Sequence, residues 1–209
     1  METTQTVELR SVDSFTCDSI NEHLEAALSR LARHDSLLFT HDANERSICF
    51  RLAFYLQLQF RDFHVACEYN RHHNDPRHIK RLHNPDLFRL ARRKPKLAET
   101  DSLTVFPDII VHRRETDQNL LVIETKKTTS NIPEDFDRAK LAAYRDEIHY
   151  RFAKFIRFGT RPGEQPIVRM SLSESTATPG LNFEVQHWLV ANEALIGCFV
   201  SMSFSGSVV

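Results

Sequence analysis

Phe106-Pro107-Asp108-Ile109-Ile110-Val111-His112 and, seven polar residues later, Leu120-Leu121-Val122-Ile123-Glu124-Thr125-Lys126-Lys127 are the stretch whose reading decides the fold. Val105 to His112 and Leu120 to Ile123 are rich in β-branched and apolar residues, and the polar, turn-prone run Arg113 to Asn119 between them predicts a hairpin. Pro107 fits only near the start of the first strand, where a missing N–H is tolerated. The second strand is apolar at consecutive positions, as in a strand covered on both faces. It should then stay apolar, and instead it ends in Glu124 and Lys126, which lie two residues apart and therefore on one face. Asp108 on the neighbouring strand places a third charged group beside Glu124. Two carboxylates and an ammonium at the end of an apolar sheet are costly to desolvate unless a cation or a substrate uses them.

The spacing Pro107-Asp108 followed by Glu124-Thr125-Lys126 resembles the PD-(D/E)xK nuclease superfamily, the restriction-endonuclease-like fold. Glu68-Tyr69-Asn70-Arg71, Asp108 to Arg113 and Asn119 to Glu124 are similar to runs found in small uncharacterised prokaryotic members, so the resemblance spans about Glu45 to Gly159. An isolated Glu-x-Lys carries little, because a solvated strand end often bears such a pair, worth ~0–1 kcal/mol. The resemblance implies an α/β fold with an αβββαβ core, a mixed central sheet flanked by helices. It also implies a Mg²⁺- or Mn²⁺-dependent nuclease acting on nucleic acid, with DNA favoured over RNA. Asp108, Glu124 and the Thr125 backbone carbonyl are its implied metal ligands, and Lys126 its implied aid to the attacking water. A catalytically silent or partner-activated module of the same fold is the alternative. Retention of Asp108, Glu124 and Lys126 together favours activity. A homodimer, and a separate protein partner supplying specificity, are the further partners the resemblance implies.

The 209 residues are 41% hydrophobic and 26% charged, which predicts one domain with its core at about 42–160, an N-terminal helix at 18–32 and a C-terminal extension at 161–209. A formal net charge of −1 says nothing by itself about a polyanionic partner, so a nucleic-acid footprint must come from local clustering. Cys17, Cys49, Cys67 and Cys198 are widely spaced, which argues against a zinc site or a disulfide framework. No apolar run approaches the ~20 residues that span a bilayer, and the N-terminus lacks a signal-peptide pattern, so a cytoplasmic protein with no membrane partner is expected.

Outward from the hairpin, Ile20, Leu24, Leu28 and Leu31 recur at helical spacing, and Leu37 to Phe39 reads as a short extended piece. Asp42 to about Phe60 reads as a helix that is apolar nearly all round, hence central and buried. Its Glu45 completes a capping box with Asp42 or, as the resemblance implies, faces the metal site. Phe63 to Asn70 predicts the first core strand, with Val65, Cys67 and Tyr69 on one face. Glu68 there is either a solvated or paired residue or a third acidic group near the metal.

Arg71 to Lys96 is an insertion dense in cations, read either as a basic loop or as short helices around Leu82 to Ala91. It is either a solvated excursion or a phosphate-contact surface using Arg71, Lys80, Arg81, Arg92, Arg93 and Lys94. Pro133, Glu134 and Asp135 open a helix that continues to about Ile148. Lys140 and Tyr144 lie one turn apart on it: either a surface lysine beside a packed tyrosine or, by resemblance, two groups aimed at the site. Lys140 departs from the glutamine commonest in the exonuclease branch. Arg151 to Phe158 predicts the fourth core strand, and Ile167–Leu172, Leu181–Val185 and Ala194–Phe204 predict extra strands, with a short helix at Val185–Ala194 as an open alternative.

Overall fold

A computed structural model describes residues 10–70, 81–91, 103–174, 181–188 and 197–204. Its helices are α1 (Cys17–His34), the single turn α2 (Leu37–Thr40), α3 (Glu45–Gln59), α4 (Pro85–Ala91) and α5 (Asp135–Ile148). Its strands are β1 (His64–Cys67), β2 (Arg81–Leu82), β3 (Leu103–Thr104), β4 (Ile109–His112), β5 (Asn119–Lys127), β6 (Phe152–Phe158), β7 (Ile167–Glu174), β8 (Leu181–Trp188) and β9 (Gly197–Phe204). One mixed sheet has the order β1-β4-β5-β6-β7-β8-β9, and β2 pairs with β3 separately. Every neighbouring pair in the large sheet is antiparallel except β5 and β6. A parallel pair needs a crossover connection, and α5 is that crossover.

The unbroken apolar run of β5 has its cause in the two layers that cover it. Leu121 and Ile123 pack into a cluster with Ile20, Leu24, Leu28 and Leu31 of α1 and with Ile48, Leu52 and Leu56 of α3. Val122, on the opposite face, packs with Ile110 and with Leu141, Tyr144 and Ile148 of α5. Leu82 of β2 and Leu87 of α4 complete that second layer. The i, i+4 apolar spacing seen in the sequence is thus the buried stripe of α1, whose first turn is closed by a reciprocal Thr16–Ser19 capping box.

Several expectations need correction. Leu37 to Phe39 is helical, not extended, and buries Phe39. The helix that follows starts at Glu45 rather than Asp42, with Asn44 as its N-cap accepting from the Ser47 N–H at 2.8 Å. α3 is also less enclosed than predicted, because Phe50, Phe54 and Leu58 are exposed. β1 stops at Cys67 because Glu68 takes a left-handed φ of 49°, which breaks strand alternation. Tyr69 consequently packs with the α5 layer while Val65 and Cys67 pack with the α1–α3 layer, so these three do not share a face. Val105 to Pro107 precede β4 rather than belonging to it. Residues 185–188 continue β8, which excludes a helix starting at Val185. Of the insertion, α4 realises the predicted short helix, while Arg71, Lys80, Arg92, Arg93 and Lys94 lie outside the described residues.

Ile123 is fully buried between the layers, so Ile123→Ala is expected to lower unfolding free energy by ~2–5 kcal/mol. Phe50→Ala, on the exposed side of α3, should change it by no more than about 0.5 kcal/mol. Urea denaturation measures both, and equal losses for the two would contradict this layering.

Candidate active site

The site is built where β5 outruns its apolar partners. Ile109 pairs with Ile123, so the next step outward sets Asp108 against Glu124 and Thr125. The Thr125 N–H donates to Asp108 Oδ2 at 2.7 Å and its hydroxyl donates to the same oxygen at 2.9 Å. Glu124 is wholly buried and Lys126 nearly so. Strand alternation turns both toward α5, where Asp137, Lys140 and Tyr144 occupy one face at i, i+3 and i+7. Lys140 Nζ lies 2.5 Å from Glu124 Oε2 and 3.4 Å from Asp137 Oδ1. Lys126 Nζ lies 2.6 Å from Asp137 Oδ2, a close ion contact not aligned as a hydrogen bond. Glu124 Oε1 and the Tyr144 hydroxyl are buried without a hydrogen-bond partner among the described residues.

The opposite face of β5 holds the site from behind. Thr125 Oγ1 is 3.1 Å from Cys49 Sγ of α3, and the Lys127 N–H donates to Glu45 Oε2 at 3.0 Å. Lys127 Nζ donates to Asp42 Oδ1, the Asp42 carbonyl and the Ala43 carbonyl at 2.8, 3.2 and 2.9 Å. Asp42 therefore does not cap the helix. It takes a left-handed φ of 49°, and its carboxylate, held down to a pKa of about 2 chiefly by Lys127, is committed to β5. Glu45 does not reach back to complete a capping box, because its carboxylate reaches β5 instead. Lys127, on the face turned away from the charged cluster, thus fixes the loop that delivers Glu45.

Burial sets the electrostatics, and the crowded charges adjust it. Burial raises the Glu124 pKa well above the usual carboxylate range, Lys140 opposes the rise, and Asp108 adds to it. Burial likewise raises Asp108, against the pull of Lys140 and the Thr125 donors. Glu45 is raised by burial and then by Asp108. Burial alone would lower Lys140, but Glu124, Asp108 and Asp137 together hold it above its ordinary value and keep it charged. Tyr144 is pushed up by burial and by the same carboxylates.

Asp108, Glu124, Lys126, Lys140 and Tyr144 are thus brought together, with Glu45 at their edge. The reading of Lys140 as a surface residue is set aside by its 12% side-chain exposure and its contact with Glu124. Glu68 pairs with Arg46 at 2.6 Å, and it lines the same cleft as Asp108 and Glu45. Arg81 is exposed on β2. Asp137 was missed by sequence reading. Its signal was its place three residues before Lys140 and seven before Tyr144, a polar stripe on a helix side that should otherwise be apolar.

Among the described residues, no three His, Cys, Asp or Glu side chains are grouped to hold a metal ion. The implied set is smaller, two carboxylates and a backbone carbonyl, and the residues present fit it. Asp108 and Glu124 are hard anionic oxygens, and Glu124 Oε1 is an orphaned buried acceptor. No protein-family model, no curated protein and no solved structure matches this chain.

Raised carboxylate pKa values mean that the folded protein keeps protons the unfolded chain has released. Stability from this source is full below the unfolded range near pH ~4 and is lost as pH rises through the raised native values of Glu45, Asp108 and Glu124. In chelator, urea denaturation should show a more negative slope of unfolding free energy against pH for the wild type than for Glu124→Gln, a comparison in which the histidines cancel. Identical slopes would remove Glu124 from this account.

Proposed function

We propose that this chain is a divalent-metal-dependent phosphodiesterase, a nuclease of the PD-(D/E)xK type, with DNA favoured over RNA as its substrate. The observation that carries this reading is the unbalanced cluster at the end of β5. Four carboxylates, Glu45, Asp108, Glu124 and Asp137, gather around two ammoniums, Lys126 and Lys140, leaving two negative charges uncompensated when all are ionised. With Glu124 and Asp137 buried and Glu45 and Asp108 half-buried, an excess of that size calls for a proton or a divalent cation. The order α3, β1, β4, β5, α5, β6, with an antiparallel β1-β4-β5 unit and a parallel β6, supports the αβββαβ reading.

Asp108 and Glu124, with the Thr125 carbonyl, would hold Mg²⁺ or Mn²⁺, which supplies polarisation of the scissile phosphate and a lowered pKa for a bound water. Lys126 orients that water and offsets the charge that develops on the phosphate oxygens. Asp137 pairs with Lys126 and fixes its position, and Lys140 holds Glu124 Oε2, so that Oε1 would be the oxygen left to take a cation. Water oxygen forms the new P–O bond and releases a proton to solvent, while the old P–O bond breaks toward the leaving sugar oxygen, which takes up a proton from solvent. Tyr144 closes the floor of the site on the α5 side.

A second reading has its own observation. Both ammoniums are already paired with carboxylates, as in a latent or silent nuclease-fold module that a partner must activate.

Cleavage of labelled single-stranded DNA, duplex DNA and RNA with Mg²⁺, Mn²⁺ or EDTA tests the proposal. Metal-dependent cutting should be abolished by Asp108→Ala and Glu124→Ala and slowed about 10²- to 10⁴-fold by Lys126→Ala, with folding retained. Cutting by Glu124→Ala at the wild-type rate would sink the proposal. Asp137→Asn separates the readings: it slows an active enzyme and speeds a latent one by releasing Lys126.

A further inference from the structure

A cleft of about 420 Å³ opens beside the charged cluster, lined by Glu45, Arg46, Phe50, Cys67, Glu68 and Asp108. Asp108 lines the cleft and is also a member of the proposed site, so the two adjoin at that residue. The volume lies in the range of small-ligand sites, ~300–1,000 Å³. Phe50 is 64% exposed on the cleft side of α3, one residue after the buried Cys49. Phe54 and Leu58 of the same helix are exposed too, but of the three Phe50 is the one that lines the cleft. Glu68, at the rim, is a non-glycine residue with a left-handed φ of 49°, and its N–H donates to the Asp108 carbonyl at 3.3 Å. Strained residues of this kind persist where the surroundings fix them, and they gather at binding sites.

The lining chooses what can enter. Among the described residues that line the cleft, Glu45, Glu68 and Asp108 face one cation, Arg46, itself paired with Glu68. A phosphate inside the cleft would meet net negative charge. A nucleobase is neutral, carries amino donors suited to Glu68, and has a π-face suited to Phe50. A duplex keeps its bases stacked on one another and presents only its anionic backbone, so it cannot offer that face.

We infer that this cleft is a subsite for one unpaired nucleotide of the substrate strand, its base stacked on Phe50 and its phosphate directed to the Asp108–Glu124 end. The substrate class is then single-stranded nucleic acid. This assignment rests on the nuclease reading for its placement, and binding can be measured without cleavage.

The experiment measures binding of a labelled 12-mer single strand, as DNA and as RNA, and of the matching DNA duplex. The proteins are the full chain, Phe50→Ala and Phe54→Ala, in Ca²⁺ to suppress turnover. Phe54 is exposed one turn along the same helix but outside the cleft, and it serves as the surface control. A single strand is expected to bind at least about 10-fold more tightly than duplex. Phe50→Ala should weaken single-strand binding about 5- to 150-fold, the range for one base–aromatic stack, and leave duplex binding and Phe54→Ala unchanged. The DNA and RNA arms identify which strand is held. Equal affinity for duplex, no binding of either single strand, or single-strand binding unchanged in Phe50→Ala would overturn the assignment. So would a dimer that both phenylalanine variants dissociate without loss of strand binding, since Phe50, Phe54 and Leu58 would then be a self-association face. Failure of cleavage by the wild type with Phe50-dependent binding intact would count against the nuclease reading alone.

Discussion

Everything in this protein turns on the cost of ending an apolar, doubly covered strand in charge. β5 carries Leu120 to Ile123 between two helical layers and then, without leaving the sheet, presents Glu124, Thr125 and Lys126 with almost no exposure. Desolvating a carboxylate costs several kcal/mol unless partners replace the lost water. The partners are found on α5, whose Asp137 and Lys140 meet Lys126 and Glu124. They do not balance the cluster, since Asp108 and Glu45 add two further carboxylates and Glu124 Oε1 is left without a donor. Burial is the main cause of the raised proton affinity of three of these groups, and the neighbouring carboxylates add to it; a divalent cation would relieve both.

The scaffold holds this arrangement through the two faces of one strand. Toward α5, alternate residues carry the charged groups of the proposed site; toward α3, the residues between them carry the supports. Thr125 reaches Asp108 and Cys49, and Lys127 reaches Asp42, Ala43 and Glu45. A shift of β5 by one residue would exchange these roles, burying the supports among the carboxylates and turning Glu124 and Lys126 into the α3 layer. The packing of Leu121 and Ile123 on one side and Val122 on the other fixes the register that prevents this.

Much of this was legible in the sequence, because the strongest signals were local. The apolar run, the turn-prone Arg113 to Asn119 and the intrusion of Glu124 and Lys126 predict the hairpin and its charged end, and Lys140 and Tyr144 stand one turn apart on the next helix. What was not legible depended on long-range choices. Asp42 has the side chain of a helix cap, yet Lys127, 85 residues away, claims it, and Asn44 takes the capping role. Asp137 resembles any acidic residue in a first turn until the helix is docked on β5. The left-handed turn at Glu68, which moves Tyr69 to the other face, has no signature in the residue itself.

The most direct test of the central claim is titration calorimetry of the chelator-stripped protein with Mn²⁺, repeated in buffers of different ionisation enthalpy and with Asp108→Ala alongside. The charge imbalance predicts Mn²⁺ binding accompanied by proton release, the carboxylates giving up protons as the cation arrives, and loss of that binding in Asp108→Ala. Binding without proton release, or equal binding by Asp108→Ala, would contradict it.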